Sequence, residues 1–272
     1  METSMRITIF RIAVALCLLL QMSPLLAQQS QVINVPLSRP GEPMHLEIGI
    51  QSARIEVIGE DRKDVEFEIS VAEGQRRIVT PSGTQPLKGG GYSLEVEEED
   101  NEVHLDTDWR INRVSIVARI PKRASVALHT VNDGEIIVSN VSGNHELYNT
   151  NGPITARDIS GSVIAESVND TIDISFVELD KDAASSMESI NGDLILGLPD
   201  GLGVTTHLDT SRGEIYSDFE VEVRPVQQVV ERDDTRKGVS IHIESVIIAD
   251  INGGGHVVRM KSLHGDLNIR KH

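Results

Sequence analysis

The chain is poor in the residues that ordinarily carry chemistry or lock a small fold. Its 272 residues include one cysteine, Cys17, so no intrachain disulfide can form and no cysteine redox pair exists. Aromatic residues make up 3% of the chain, too few to line a long sugar-stacking cleft or a platform for nucleic-acid bases. Cationic side chains are outnumbered: 25 Lys and Arg stand against 42 Asp and Glu, for a formal net charge of −17. That balance excludes binding to nucleic acid or an anionic membrane surface through bulk electrostatics. The nine histidines are dispersed, and no two show His-x-x-x-His spacing. No stretch carries the 3.6-residue apolar period of an amphipathic helix.

The only compact apolar run lies at the N-terminus. Arg6 and Arg11 precede Ile12 to Leu20, and Pro24-Leu25-Leu26-Ala27 follows as a break and cleavage site. This is the pattern of a secretory signal peptide, and the run is short for a membrane span. Cys17 lies inside it, beside Leu16 rather than a small residue, so it does not read as a lipoprotein cysteine and leaves with the leader. The exported chain is then expected to hold together by burial and backbone pairing alone, with no stable membrane span and no C-terminal anchor signal.

What is present is a nine-residue repeat. Gly134, Gly143, Gly152, Gly161 and Asp170 are anchors spaced nine apart. An apolar or small residue usually follows at +2 and +4, and another position recurs at +7, in Val141, Thr150, Ile159, Val168 and Val177. A short fixed period of strand plus turn predicts a β-solenoid. With two units per turn, residues eighteen apart stack: Ile136 on Ile154 on Ile172, Val138 on Ala156 on Ile174, Val141 on Ile159 on Val177, and Val163 over His145. Gly or Asn at the anchor suits a corner that needs positive φ. The beat loosens after Phe176 and returns at Ile190-Asn191-Gly192 and Ser211-Arg212-Gly213. Ile251-Asn252-Gly253 and Leu263-His264-Gly265 close the chain.

The expected organisation is a signal peptide over 1–27, an N-terminal β-strand region over 28–124, and a β-solenoid-like repeat region over 125–272. In the N-terminal region, Leu46, Ile48 and Ile50, then Ala53, Ile55 and Val57, then Val65, Phe67 and Ile69 alternate with polar residues as half-buried strands of antiparallel type. Residues 72–91, rich in Gly, Pro and basic side chains, read as a mobile surface loop. Residues 178–188 and 218–238 read as further excursions from the repeat.

Several phrases recur in concert: Thr130-Val131-Asn132-Asp133-Gly134-Glu135-Ile136, Ser189-Ile190-Asn191-Gly192-Asp193-Leu194, Leu198-Pro199-Asp200-Gly201 and Leu263-His264-Gly265-Asp266-Leu267-Asn268-Ile269-Arg270. They resemble the bacterial family labelled "putative adhesin", made of exported β-solenoid-like repeats with no assigned activity. The resemblance covers roughly residues 34–272. It implies an all-β fold and a surface role, and it brings no catalytic, cofactor or metal residues.

The residues themselves point to no chemistry either. A calcium-binding roll needs paired glycines and an Asp in each unit, whereas Asp158, Asp170 and Asp173 are out of register with one another. The acidic run from Glu95 to Asp108 lacks an Asp-x-Asp-x-Asp-Gly loop and reads as a solvated hairpin. A polysaccharide-cleaving β-helix would need two carboxylates across a groove, and Glu146 and Asp173 merely belong to outward faces crowded with acids. His145 points inward, where a hydrogen-bonded structural role is expected. The expectation is a non-enzymatic, exported protein of the envelope or surface, periplasmic or extracellular. Its partner would be an envelope or surface protein or a polysaccharide. A periplasmic structural or sensory accessory is the alternative, and a polysaccharide-active enzyme a third reading.

Overall fold

The computed structural model describes residues 30–71, 94–107, 114–132, 134–225, 227–236 and 238–272. Residues 1–27, read above as a leader, the 72–91 segment and Trp109 therefore lie outside the described residues. The strands are β1 (Ser30–Pro36), β2 (Met44–Ile50), β3 (Ala53–Glu60), β4 (Asp64–Val71), β5 (Leu94–Glu99), β6 (Glu102–Thr107) and β7 (Val114–Pro121). Then follow β8 (Ala124–Thr130), β9 (Glu135–Ser139), β10 (Ser142–Asn149), β11 (Ile154–Ser167), β12 (Ile172–Leu179), β13 (Ser185–Ser189) and β14 (Leu194–Leu198). Last come β15 (Val204–Thr210), β16 (Ile215–Ser217), β17 (Val221–Val223), β18 (Gln227–Arg236), β19 (Gly238–Ile251), β20 (His256–Ser262) and β21 (Leu267–Lys271). The fold is all-β, with no helix among the described residues.

Two long ladders organise these strands. One runs β5, β6, β2, β8, β10, the second half of β11, β13, β20, β15 and β19. The other runs β1, β4, β7, β3, β9, the first half of β11, β12, β14, β21 and β16. Pairing is parallel through the middle of both ladders and antiparallel only toward their ends. Parallel neighbours need a crossover between them; from β8 to β14 the chain alternates between the two ladders, so each crossover there is a strand of the opposite ladder.

Ile55, Ile136, Ile154, Ile172, Leu194 and Leu267 are successive neighbours along the second ladder. All six are fully buried. Across the first ladder Leu128, Leu147, Ala165, Met187 and Met260 do the same. Both rows belong to one continuous apolar core. Each large aliphatic side chain so buried contributes about 1.5–3 kcal/mol, which is how a chain without cross-links holds together.

Three expectations are corrected. The N-terminal strands are not of antiparallel type throughout: β2 pairs parallel with β6 and β8, and β3 with β7 and β9. Period-two alternation reports which face is buried, and it is the same for either pairing. Second, stacking does not follow chain order at the ends. β2 and β3 lie between β6/β7 and β8/β9, and β20 and β21 lie between β13/β14 and β15/β16. The final strands are thus interior to the ladders. Third, Ile159 faces Phe176 rather than Val177. Asp158 adopts φ 53° and adds one residue to β11, a bulge that shifts the register, so Phe176 is buried and Val177 is 56% exposed.

The acidic run forms the β5–β6 hairpin, turned at Asp100 and Asn101, both with positive φ. The Glu98 carboxylate accepts hydrogen bonds from the Ser38 backbone N–H and hydroxyl and from the Asn101 N–H. Those bonds, the Ser38 backbone N–H foremost, lower its pKa. Asn101, buried at 2% exposure, accepts from the Arg39 N–H and donates to the Arg39 and Pro43 carbonyls. This cluster staples the β1–β2 connection to the hairpin.

Candidate functional site

The turns that carry the chain from the first ladder to the second line up as one corner and repeat a four-residue device, which the sequence presents as Ser189-Ile190-Asn191-Gly192, Ser262-Leu263-His264-Gly265, Thr210-Ser211-Arg212-Gly213, Asn149-Thr150-Asn151-Gly152 and Ser167-Val168-Asn169-Asp170. Each position has its own task. At the first, the side chain points inward and caps the turn. Ser189 Oγ accepts from Gly192 N–H at 2.8 Å, Ser262 Oγ from Gly265 N–H at 2.9 Å, Thr210 Oγ1 from Gly213 N–H at 3.0 Å and Ser167 Oγ from Asp170 N–H at 3.3 Å. Ser262 also donates to the Gly192 carbonyl and Thr210 to the Gly265 carbonyl, both at 3.0 Å. The hydroxyls therefore tie neighbouring turns together as well as closing their own.

Ser262→Ala should destabilise the protein by about 2 kcal/mol, because a buried N–H and a buried carbonyl lose their partner together. Urea unfolding checks this. A loss under roughly 0.5 kcal/mol would show that the hydroxyl column is not structural.

At the third position the side chains form a chain of hydrogen bonds along the outside of the corner. Arg212 Nη1 donates to His264 Nε2 at 3.0 Å, and His264 Nδ1 donates to Asn191 Oδ1 at 2.8 Å. Asn191 Nδ2 donates to Asn169 Oδ1, Asn169 Nδ2 to Asn151 Oδ1, and Asn151 Nδ2 to the Val131 carbonyl. Because Arg212 can only donate, His264 carries its proton on Nδ1, and every link runs in the same direction.

The second position forms one wall of a groove. Val168, Ile190 and Leu263 stack there, with Ile190 and Leu263 each 45% exposed. The facing wall is the outward column of the first ladder. His129 neighbours Tyr148, Tyr148 neighbours Glu166, Glu166 neighbours Glu188, Glu188 neighbours Lys261, and Lys261 neighbours Asp209. Between the walls lies an open cleft of about 450 Å³, within the usual size of ligand sites. The Tyr148 hydroxyl is held above its ordinary pKa, first by burial and then by the carboxylates of Glu146 and Glu166. Lys261 Nζ lies 3.7 Å from Asp209. Glu166 and Glu188 make no ion pair among the described residues.

Two other clefts are more polar. One, of about 340 Å³, gathers Glu47, Glu95, Glu97, His104 and Asp106 at the β5–β6 hairpin, where His104 Nδ1 lies 3.0 Å from Glu47. Another lies at the opposite corner, beside Asp180, Lys181 and Asp182 in the 178–188 excursion. Residues 218–238, read as an excursion, contain β17 and all of β18. Among the described residues no three His, Cys, Asp or Glu side chains gather as a metal site. Asp173 is paired with Arg157 at 2.7 Å, and Glu146 neighbours Ala127 and Ile164; neither faces a second carboxylate across a groove. His145 is buried at 1% exposure between Val126 and Val163, with Nε2 3.2 Å from the Ser160 carbonyl and no partner on Nδ1.

The groove itself was not legible as a site in the sequence. The signal was there, in the apolar second position of the corner phrase, but it becomes a wall only when the strands pair side by side.

No family model and no curated protein matches the chain. Among solved structures, a putative cell adhesion protein from Clostridium sporogenes shares 12% identity at a TM-score of 0.42, over 90% of this chain and 99% of that one. A putative adhesin from Bacteroides fragilis shares 10% identity at a TM-score of 0.31, over 90% of this chain and 98% of that one.

Proposed function

We propose that the chain is a short exported β-solenoid that binds a partner at the cell envelope or cell surface, and that it does so without catalysis. The observation that carries this reading is the long open groove beside the corner, walled by exposed apolar side chains on one side and by charged ones on the other. Stacked coils generate extended surfaces of this kind, and such surfaces suit long partners. The leader-like segment before Gln28 supports export, and the resemblance of the corner phrases to the adhesin-labelled family supports a place at the surface. Binding is favoured over carbohydrate cleavage because Glu166 and Glu188 stand side by side on one wall, whereas glycoside hydrolysis needs carboxylates that flank the bond from two sides.

Surface exposure tests the reading. Intact cells treated with protease should lose the protein, detected with an antibody to the chain beyond residue 28. Full protection, with recovery of the intact chain in a periplasmic extract, would overturn adhesion and leave a periplasmic accessory role.

A further inference from the structure

The two walls of the corner groove differ in kind, and that difference selects a ligand. One wall is the column Glu166, Glu188, Lys261 and Asp209, in which Lys261 is the only lysine or arginine and lies close to Asp209. The other wall is apolar at its centre, where Val168, Ile190 and Leu263 lie between Thr150 and Ser211, and Ile190 and Leu263 are each 45% exposed. The column from His129 to Asp209 spans five interstrand steps, about 24 Å at roughly 4.8 Å each.

We infer that this groove binds an extended basic peptide whose side chains alternate between cationic and apolar. This rests on the binding role proposed above and names the partner's chemistry. In an extended chain successive side chains point to opposite sides, so one set meets the acidic wall while the other meets Ile190 and Leu263. Seven residues at about 3.3 Å each cover the length of the column. A neutral glycan has no such two-sided alternation. It would also want aromatic faces to stack on, and Tyr148 is the only aromatic side chain among Trp, Tyr and Phe that lines this groove. The carboxylates answer the cations by charge complementarity.

The probe is a fluorescein-labelled heptapeptide of alternating lysine and valine with blocked ends, titrated with the full exported chain and read by anisotropy. The expected result is saturable binding, weakened tenfold or more by E166Q/E188Q and several-fold by I190S. The pair E95Q/E97Q, in the other acidic cleft, serves as the charge control and should leave binding unchanged. All three variants change exposed side chains, and unchanged thermal unfolding confirms that each is folded. Absence of binding overturns the inference. So does equal weakening by E95Q/E97Q, which would mean attraction to bulk negative charge. A neutral N-acetylglucosamine hexasaccharide that binds the groove while the peptide does not would assign the groove to polysaccharide. Each of these outcomes leaves the surface-exposure result standing, so failure of the ligand and failure of the surface role are separable.

Discussion

Gly192→Ala should destabilise the protein by roughly 3 kcal/mol or more, whereas Gly49→Ala should change stability by no more than about 0.5 kcal/mol. Both glycines lie in the parallel part of the fold, and neither has positive φ. They differ in what stands above the missing side chain. A Cβ on Gly192 would land on the backbone carbonyl of Asp170 in the neighbouring turn, and within 2.9 Å of Ser189 Oγ. A Cβ on Gly49 would meet nothing within 4 Å. The Asp170 carbonyl is main chain and cannot swing away, so relief requires separating the two turns. Separation would strain the bond from Gly192 N–H to Ser189 and the bond from Ser262 to the Gly192 carbonyl that joins the next turn. Urea unfolding of the two variants beside the parent measures the contrast. Equal costs would mean that the corner glycines are not there for close approach.

The same contrast shows how much the sequence revealed. The nine-residue beat located the corners, and it placed Ile136, Ile154 and Ile172 side by side, as they stand along the second ladder. Its reason for the glycines was incomplete. At Gly134, Gly152, Gly192, Gly213 and Gly265 a Cβ would strike the carbonyl of a neighbouring strand or turn. These are positions of close approach without positive φ, whereas Gly161 combines the two, and positive φ recurs at Asn140, Asn252 and Gly253. A single sequence shows that a residue must be small without showing whether torsion or contact demands it. Registry was legible only where the spacing stayed constant. It failed at Phe176, because a bulge at Asp158 is a local choice of backbone. It failed again at both ends, where β2/β3 and β20/β21 insert between strands distant in sequence. Pairing between distant segments leaves no periodic trace. The groove was hidden for a related reason. Its walls are columns, and a column is made of residues eighteen to seventy-three apart, so no window along the chain contains it.

His145→Val should remove most of an acid-induced loss of stability that the parent suffers between about pH 6.5 and 4. His145 occupies an inward position whose ladder neighbours are Val126 and Val163. Burial lowers its pKa from 6.5 to about 4, with the Ser160 carbonyl contact opposing in part. The sign follows from proton counting. Between those two pKa values the unfolded chain binds a proton on this imidazole and the folded chain does not, so stability is fully present above pH 6.5 and falls as the pH drops toward 4. The full cost is about 3 kcal/mol, of which about 2 kcal/mol is already incurred at pH 5. Valine fills the position as its neighbours do and leaves no buried nitrogen without a partner, so the variant should be within about 1 kcal/mol of the parent at pH 7. Glu98 and Asp250, whose pKa values are lowered by hydrogen bonds, lose their contribution only as the pH falls through and below the ordinary carboxylate range, so they add little to the difference between pH 7 and pH 5. His207, also lowered by burial and by Arg259 and Arg224, does share it, so a shallow slope should persist in the variant. Urea unfolding at pH 7 and pH 5 for both proteins gives four free energies, and their double difference isolates His145. A double difference near zero would mean that the imidazole takes up its proton inside the fold without penalty.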